Sequence, residues 1–173
     1  AWKFMESKGL KNKLTCICPG GVFGDALDKK GGTSIEYVRQ FMAGKFPGAP
    51  KFAVLISDVK DIAKAHVACI GNNKVGGRRL IVGKEVKKLV ELSQLMAEAM
   101  PEYAKKLPKK ELPNFMVKLI SYLDSSAKMM IPDLEIVMQT DTKYAEELLG
   151  FEFKPAKGCI VENAKSVVRL GLV

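Results

Sequence analysis

The stretch from Leu14 to Gly24, with the sequence LTCICPGGVFG, constrains the fold of this chain more than any other segment. Its first five residues are apolar apart from Thr15, which is typical of a strand buried on both faces of a parallel sheet. In open parallel sheets, ligands bind just beyond the carboxyl ends of strands. Gly20 and Gly21 lack a Cβ, and Pro19 has no N–H. The stretch therefore predicts a turn whose following main-chain amides are free to hold a flat polar ligand.

Strands and helices alternate along the rest of the chain, which indicates an α/β fold. Further strands are predicted over 52–56 and 79–82, and we expect all three strands to form one parallel sheet. Amphipathic helices are predicted over 1–9, 34–44, 58–71, 85–100, 112–123, 142–149 and 160–170. Three strands make a thin sheet for so many helices, so we expect a partner segment upstream of Ala1 that covers its apolar faces.

The formal net charge is +9, from 28 Lys and Arg against 19 Asp and Glu. Such an excess is compatible with nucleic acid, anionic lipid or phosphorylated ligands. The densest basic patches, Lys84–Lys88 and Lys105–Lys110, are not interleaved with aromatic residues that could stack on bases. The pattern favours a solvated surface, and we predict no nucleic-acid partner.

The cysteine pattern excludes a zinc site of the usual kind. The chain has four cysteines (Cys16, Cys18, Cys69 and Cys159) without a CxxC spacing, and His66 is its single histidine. Free, buried thiols are the better interpretation, and they indicate a reducing compartment. The sequence shows no signal peptide and no apolar run that could span a bilayer, so we expect a cytoplasmic protein without a membrane partner.

The sequence offers no recognisable catalytic group and no phosphate-binding motif. GGVFG is not GxGxxG, and no GxxxxGK[ST] occurs. His66 is predicted on the buried side of a helix, where a structural role is favoured. Asp58 and Asp61 lie at a helix start, where capping is favoured over metal binding. No tyrosine is followed four residues later by lysine. We therefore predict no catalytic residue and no metal ligand.

Several segments occur in an order and spacing that resemble the carboxyl half of the extended short-chain dehydrogenase/reductases, of the NAD-dependent epimerase/dehydratase superfamily. They are LTCICPGGVFG, FAVLISDVKDIAKAHVACI, GGRRLIVGKEV, DTKYAEELLGFEFKP and AKSVVRLGLV. The segment DVKDIAKAH matches the D-V-x-D-V-A-x-A-H pattern of the branch with dihydroflavonol reductase and cinnamoyl-CoA reductase. TDTKYAEELLGFEFKP matches that branch's D-x-x-K-A-x-x-L-G-F-x-x-P pattern. The resemblance covers essentially the whole chain.

The resemblance implies the carboxyl-terminal part of a Rossmann-type parallel sheet with a small, mainly helical substrate-binding lobe. Residues 1–100 would hold the Rossmann portion with interleaved lobe segments, and residues 101–173 most of the lobe and the closing helices. The family's catalytic Tyr and Lys and its glycine-rich cofactor turn would lie before Ala1. The chain would then be a fragment, with the missing amino-terminal half of the same protein as a partner.

The family's cofactor is NADP or NAD, with NADP favoured by the resemblance. Amides in the turn after the first strand meet the nicotinamide carboxamide, which here implies Pro19, Gly20, Gly21 and Val22. A serine near the next helix start reaches the cofactor phosphates, and Ser34 fits this role because a helix amino terminus favours anions. Phe23 and Leu55 are candidates for the substrate pocket wall, with core packing as the alternative. The segment 103–135 would contribute to the substrate lobe.

The implied function is the reduction of a small aldehyde or ketone by NAD(P)H. A sugar-nucleotide epimerase or dehydratase of the same superfamily is an alternative. So is a non-catalytic domain, either a basic nucleic-acid binder or a cofactor sensor. The sequence leaves the substrate, the choice between NADP and NAD, and the oligomeric state open.

Overall fold

A computed structural model describes residues 1–30, 32–122, 128 and 131–173. Its strands are β1 (Cys16–Pro19), β2 (Gly21–Phe23), β3 (Ala53–Asp58), β4 (Arg79–Val82) and β5 (Glu85–Lys88). Its helices, in chain order, are α1 (Trp2–Ser7), α2 (Thr33–Met42), α3 (Val59–Cys69), α4 (Leu89–Ala99), α5 (Asn114–Ile120), α6 (Lys143–Leu149) and α7 (Ala156–Arg169). No helix in these ranges is long and apolar enough to cross a membrane.

The strands form two sheets rather than the single parallel sheet predicted from the sequence. β1 pairs with β4 in parallel, and a second sheet has the order β2-β3-β5. In that second sheet β2 and β3 are parallel, whereas β3 and β5 are antiparallel. The prediction of one sheet was wrong because it missed the short strand β2, with which β3 pairs. The α/β class and the parallel pairing of β1 with β4 agree with the prediction.

Strand pairing also explains the largest error in the predicted helices. Residues 85–88 were predicted to be helical, but Glu85–Lys88 pairs with β3 as an edge strand. The helix α4 begins only at Leu89, and its Glu91 carboxylate accepts a hydrogen bond from the Lys88 N–H at 2.6 Å. Helical periodicity is a weak signal over four residues, so pairing with a neighbouring strand overrides it.

Other helix boundaries lie close to their predicted positions. α7 begins at Ala156 rather than at 160, directly after Pro155, which fits the preference for proline around a helix start. α5 covers Asn114–Ile120, and the predicted end of this helix at residue 123 lies outside the described residues. Asp58 caps α3, as predicted: its side chain accepts from the Lys60 N–H at 2.8 Å.

The larger hydrophobic core lies between the three-stranded sheet and the helices α2, α4 and α7. Its buried members include Phe23, Val38, Ile56, Leu92 and Ile160. The helix α7 contacts both α2 and α4. The last helix of the chain therefore packs directly against elements from its first hundred residues, while the division of the chain near residue 100 stays a prediction.

A smaller core lies around the β1–β4 sheet, where α3 and α6 pack. Its buried residues include Ala65, Val75, Leu80 and Phe153. β1 itself is half-buried along Cys16, Ile17 and Cys18, so the prediction of a strand buried on both faces was wrong for the described chain.

Glu146 on α6 joins this smaller core to the turn between β4 and β5. Its Oε1 accepts hydrogen bonds from Lys84 Nζ at 2.7 Å and from the Phe153 N–H at 2.8 Å. Burial alone raises the pKa of this carboxyl, but the hydrogen bonds from Lys84 and Phe153 outweigh it. The net result is a pKa below the ordinary value of 4.5. A carboxyl with a lowered folded-state pKa stabilises the fold above its unfolded pKa, and this contribution is lost as the pH falls.

Glu146→Gln is expected to lower the free energy of unfolding at pH 7 by about 1–3 kcal/mol, because a charge-assisted hydrogen bond is lost. The same substitution should weaken the loss of stability below pH 4.5. Urea denaturation followed by circular dichroism between pH 7 and pH 3 measures both effects. Glu147→Gln, at an exposed neighbour without an ion pair among the described residues, is the matched control. An equal change in both variants would contradict the prediction.

Candidate functional site

The candidate site is the turn that carries the chain from β1 into β2. Pro19 ends β1 and is exposed, Gly20 forms the turn, and Gly21 starts β2. Val22 follows in β2, and 36% of its surface is accessible. The turn lies at the carboxyl end of β1, as the sequence predicted, and it joins the two sheets.

Gly20 is hydrogen-bonded to the side chain of Ser57, the penultimate residue of β3. The Gly20 N–H donates to Ser57 Oγ at 2.9 Å, and the Ser57 hydroxyl donates to the carbonyl of Val82 at 2.5 Å. Ser57 is fully buried and thereby connects β1, β3 and β4 through one side chain. The Gly20 amide is therefore not a free donor, contrary to the expectation for this turn, whereas a contact of Gly20 with a cofactor stays a prediction. Sequence analysis did not identify Ser57.

The backbone of Gly20 also lies against β3 too closely for a side chain. A Cβ at this position would be 2.2 Å from the carbonyl oxygen of Leu55. Contacts below 3.0 Å are essentially never seen for a real Cβ. The contact between the turn and β3 therefore requires a glycine at this position.

The two predicted pocket-wall residues have different surroundings. Phe23 is 4% exposed and belongs to the larger core, but it also lines a small cavity at the end of β2. Leu55 is equally buried and contacts the backbone of Gly20 and Gly83. Leu55 thus lies behind the turn rather than beside the cavity. Whether either side chain meets a substrate stays a prediction.

Ser34 lies in the first turn of α2 and is half-buried. It is not the N-cap of this helix. Gly32 occupies that position with extended backbone, and no side chain caps the helix. The first backbone N–H groups of α2 are therefore free of a side-chain cap, which suits an anion. The contact of Ser34 with a cofactor phosphate stays a prediction.

A small cavity of about 210 Å³ lies directly beyond β2. Its walls include Val22, Phe23, Ile35 of α2, Val59 of α3 and Asn163 of α7. Asn163 is 1% exposed, and its Nδ2 donates to the carbonyl of Gly24 at 2.7 Å. Its Oδ1 has no hydrogen-bond partner in the described structure. The cavity thus combines apolar walls and one buried polar side chain with the charged residues Asp25, Asp28 and Lys30 of the loop after β2.

The loop after β2 is fastened to α7 at three successive positions. Besides the Asn163 contact, Ser166 Oγ accepts from the Ala26 N–H at 3.0 Å. Arg169 donates to Asp25 Oδ1 at 2.6 Å and to the Ala26 carbonyl at 2.8 Å. The three helix residues are three apart and share one face. We name them the α7 clasp. Polar residues at core-facing positions of a predicted helix were the sequence signal that could have revealed the clasp.

Asn163→Ala is expected to loosen the loop after β2, because it leaves the buried Gly24 carbonyl without a partner. Trypsin should then cut faster after Lys29 and Lys30, which are both exposed. Limited proteolysis with mass spectrometry measures the rate, and a several-fold increase is expected. Lys165→Ala, at an exposed position of the same helix, is the control and should leave the rate unchanged. Equal rates for wild type and Asn163→Ala would contradict the role of the clasp.

The two aspartates at the start of α3 contact backbone and charged groups. Asp61 Oδ2 accepts from the backbone N–H of Lys154 at 2.6 Å, and Asp58 Oδ2 lies 3.5 Å from Lys154 Nζ. The Lys154 ammonium also pairs with Glu162 at 2.5 Å. Within the described residues, no group of acidic, cysteine or histidine side chains could hold a metal ion. The aspartates therefore fix the segment before α7.

His66 and the four cysteines have no assigned role at the candidate site. His66 is exposed, with Nδ1 2.8 Å from the Ile62 carbonyl, so its predicted burial was wrong. The buried face of α3 is formed by Asp61 and Ala65 instead. All four thiols are free, as predicted, but only Cys159 is fully buried. Burial raises the pKa of the Cys159 thiol to about 12, which leaves it un-ionised and unreactive near neutral pH.

No protein-family model matches the sequence. The chain is 25% identical over 177 residues to the NADPH-dependent methylglyoxal reductase of Saccharomyces cerevisiae, which covers 98% of this chain and 47% of that protein. It is 25% identical over 171 residues to cinnamoyl-CoA reductase 1 of Petunia hybrida, which covers 99% of this chain and 45% of that protein. The chain thus spans about half the length of the curated relatives it matches.

Solved structures show the same fold. The yeast methylglyoxal/isovaleraldehyde reductase complexed with NADPH matches with a TM-score of 0.73 at 24% identity, over 98% of this chain and 52% of that one. Vestitone reductase from alfalfa matches with a TM-score of 0.65 at 19% identity, over 99% of this chain and 48% of that one.

The fold is that of the carboxyl-terminal portion of a Rossmann-type reductase. The sequence matches confirm the resemblance to that branch of reductases: over nearly its whole length the chain is similar to about half of an NADPH-dependent methylglyoxal reductase and of a cinnamoyl-CoA reductase.

Proposed function

We propose that this chain is the carboxyl-terminal part of an NADPH-dependent reductase of small aldehydes or ketones. The observation that carries the proposal is the sequence match to reductases, which runs through 98% of the chain in one case and 99% in another. A match confined to a Rossmann strand and helix would support only nucleotide binding. Here the match extends through the turn, the cavity beyond β2 and the closing helix.

The turn offers main-chain groups that suit a nicotinamide carboxamide. β2 is the edge strand of its sheet, so some N–H and C=O groups of Gly21–Phe23 face away from β3. A carboxamide needs both a donor and an acceptor, and an exposed strand edge supplies both kinds of group. We assign this contact to Val22 and Gly21. Pro19 and Gly20 shape the turn, because Pro19 has no N–H and the Gly20 amide is bound to Ser57.

In this proposal the bound nicotinamide supplies the hydride, and the chain orients it. The α7 clasp fixes the loop beyond β2, and the uncapped amino terminus of α2 with Ser34 faces the cofactor phosphates. Phe23 and the segment 103–135, of which residues 123–127, 129 and 130 lie outside the described residues, contribute to the substrate wall. The chain contains no Tyr-x-x-x-Lys, so we assign the proton donor to a part of the protein outside this chain. NADPH is favoured over NADH because the relatives are named as NADPH-dependent enzymes.

A sugar-nucleotide epimerase is the second candidate. A UDP-glucuronic acid 4-epimerase from Bacillus cereus shares the fold, with a TM-score of 0.65 at 13% identity over 97% of this chain. That similarity concerns the fold alone, whereas the sequence matches favour a reductase.

We also propose that the protein lies in the cytoplasm. Its free thiols and the chemistry of its relatives support this location.

The test uses the protein with the segment that precedes Ala1. We expect a Tyr-x-x-x-Lys shortly before Ala1 and consumption of NADPH with methylglyoxal as the probe carbonyl. Ser34→Ala should raise the KM for NADPH several-fold, whereas Ser7→Ala, at an exposed hydroxyl of α1, should not. Epimerisation of a UDP-sugar without net NADPH consumption would favour the second candidate. NADPH turnover by the isolated 173 residues would refute the assignment of the proton donor to another part of the protein.

A further inference from the structure

A broad groove lies between the end of α2 and the segment 105–110, away from the β1–β2 turn. Its volume is about 720 Å³. One side carries Lys105, Lys106, Lys109 and Lys110, and the other side consists of Ala43, Gly44, Phe46 and Pro47. We name it the lysine groove. It shares no residue with the β1–β2 turn or with the cavity beyond β2.

In the part of the chain that the structure describes, no acidic side chain neutralises the four ammonium groups of the lysine groove. All four lysines are exposed, and no acidic residue lines the groove. Among the ion pairs of the described residues, none involves these lysines. Like charges collected along one concave surface raise the local positive potential and attract an anionic partner. The groove therefore favours a ligand with several negative charges.

The floor of the groove is apolar and well anchored. Phe46 packs edge-to-face on Phe41, with ring centroids 5.5 Å apart. Leu107 is 4% exposed, and the Pro108 carbonyl accepts a hydrogen bond from the buried Ser93 hydroxyl at 2.7 Å. A rigid floor of this kind can hold apolar side chains without much loss of conformational freedom.

The backbone of the groove does not suit a compact phosphate. Phosphate sites usually rely on clustered, unpaired N–H groups. Here the Gly44 N–H is bonded to the Phe41 carbonyl, and the N–H groups of Lys106 and Leu107 are bonded to the Tyr103 carbonyl. A ligand with charges spread along its length fits better.

Single-stranded nucleic acid is disfavoured for a different reason. Its binding surfaces combine cations with aromatic faces open for base stacking. The Tyr103 ring is covered by the Lys106 ammonium, 5.8 Å from its centroid, and Phe46 is half-buried. We therefore propose that the lysine groove binds an extended acidic peptide segment of a partner protein. Its carboxylates pair with the four lysines, and its apolar side chains contact Phe46 and Pro47.

The test measures fluorescence anisotropy of a labelled peptide with alternating glutamate and leucine, titrated with the full 173-residue chain. We expect binding that weakens as salt rises, since screening shortens the reach of surface charges. Lys105→Glu combined with Lys109→Glu should weaken binding by about tenfold or more. Lys3→Glu combined with Lys74→Glu changes the net charge equally at exposed lysines outside the groove and should change binding by less than about twofold. Circular dichroism verifies that both variants are folded.

Three results would overturn the proposal. One is the absence of peptide binding to the folded chain at low salt. Another is equal weakening by both double variants, which would indicate a response to net charge alone. The third is tighter binding of single-stranded DNA or tripolyphosphate than of the peptide at the same groove, shown by competition. An all-glutamate peptide that binds as tightly as the alternating one would overturn the role of the apolar floor.

Discussion

Gly20→Ala is expected to destabilise the protein by about 3 kcal/mol or more, at the upper end of the cost of overpacking. The added Cβ would lie 2.2 Å from the Leu55 carbonyl oxygen and 2.6 Å from the Leu55 Cβ. Both atoms belong to the rigid part of a central strand, so no flexible side chain can move aside. Relief requires the turn to shift away from β3, which also stretches the hydrogen bond from Gly20 to Ser57.

Urea denaturation followed by far-ultraviolet circular dichroism measures the effect. Gly32→Ala is the matched control, because a Cβ there meets nothing within 4 Å and the backbone φ is −76°. Its cost should stay near 1 kcal/mol or less, the loss expected when alanine replaces glycine at an N-cap. Similar unfolding curves for Gly20→Ala and wild type would show that the turn is not packed on β3 as described.

Ser57→Ala is expected to be the second most damaging substitution, although it removes a single oxygen. That oxygen accepts from Gly20 and donates to Val82, and Ser57 has no exposed surface. Alanine leaves one N–H and one carbonyl without a partner, and each unsatisfied buried group costs about 1–3 kcal/mol. The two sheets should also separate locally, since the serine hydroxyl connects them at the turn.

Unfolding free energy and amide hydrogen exchange of Gly20 measure the two consequences separately. The Gly20 amide should exchange much faster in Ser57→Ala, whereas a cavity effect alone would leave its protection intact. Ser7→Ala is the control, since the Ser7 hydroxyl bonds an exposed carbonyl of its own helix. Its cost should stay within about 0.5 kcal/mol, as for other surface positions. Unchanged Gly20 protection in Ser57→Ala would contradict the proposed connection.

The sequence located the candidate turn correctly but misjudged what its glycines do. Absence of a Cβ at Gly20 and Gly21 suggested backbone open to a ligand. The structure shows that Gly20 is small because β3 lies behind it, and that its amide is already bonded. A glycine that makes room for a ligand and a glycine that makes room for a neighbouring strand have the same sequence signal.

Local sequence signals also determined the class of the fold and the position of most elements. Apolar runs of four to six residues gave β1, β3 and β4, and helical periodicity gave α2, α3, α6 and α7 with small errors at their ends. Asp58 was recognisable as a helix cap because capping involves neighbouring residues. These features depend on contacts within a few positions along the chain, so the sequence reveals them directly.

Tertiary structure alone decided which strands pair and which polar groups meet. β3 pairs with β2 and β5 instead of β1. The single residue Gly20 links β1 to β2, and these two strands belong to different sheets. The partners Gly20 and Ser57 are 37 positions apart, and Gly24 and Asn163 are 139 apart. Nothing in the local pattern specifies such contacts, since they exist only after the sheets and α7 have packed. The sequence by itself determined the elements and the position of the turn, whereas packing determined which groups at that turn are free.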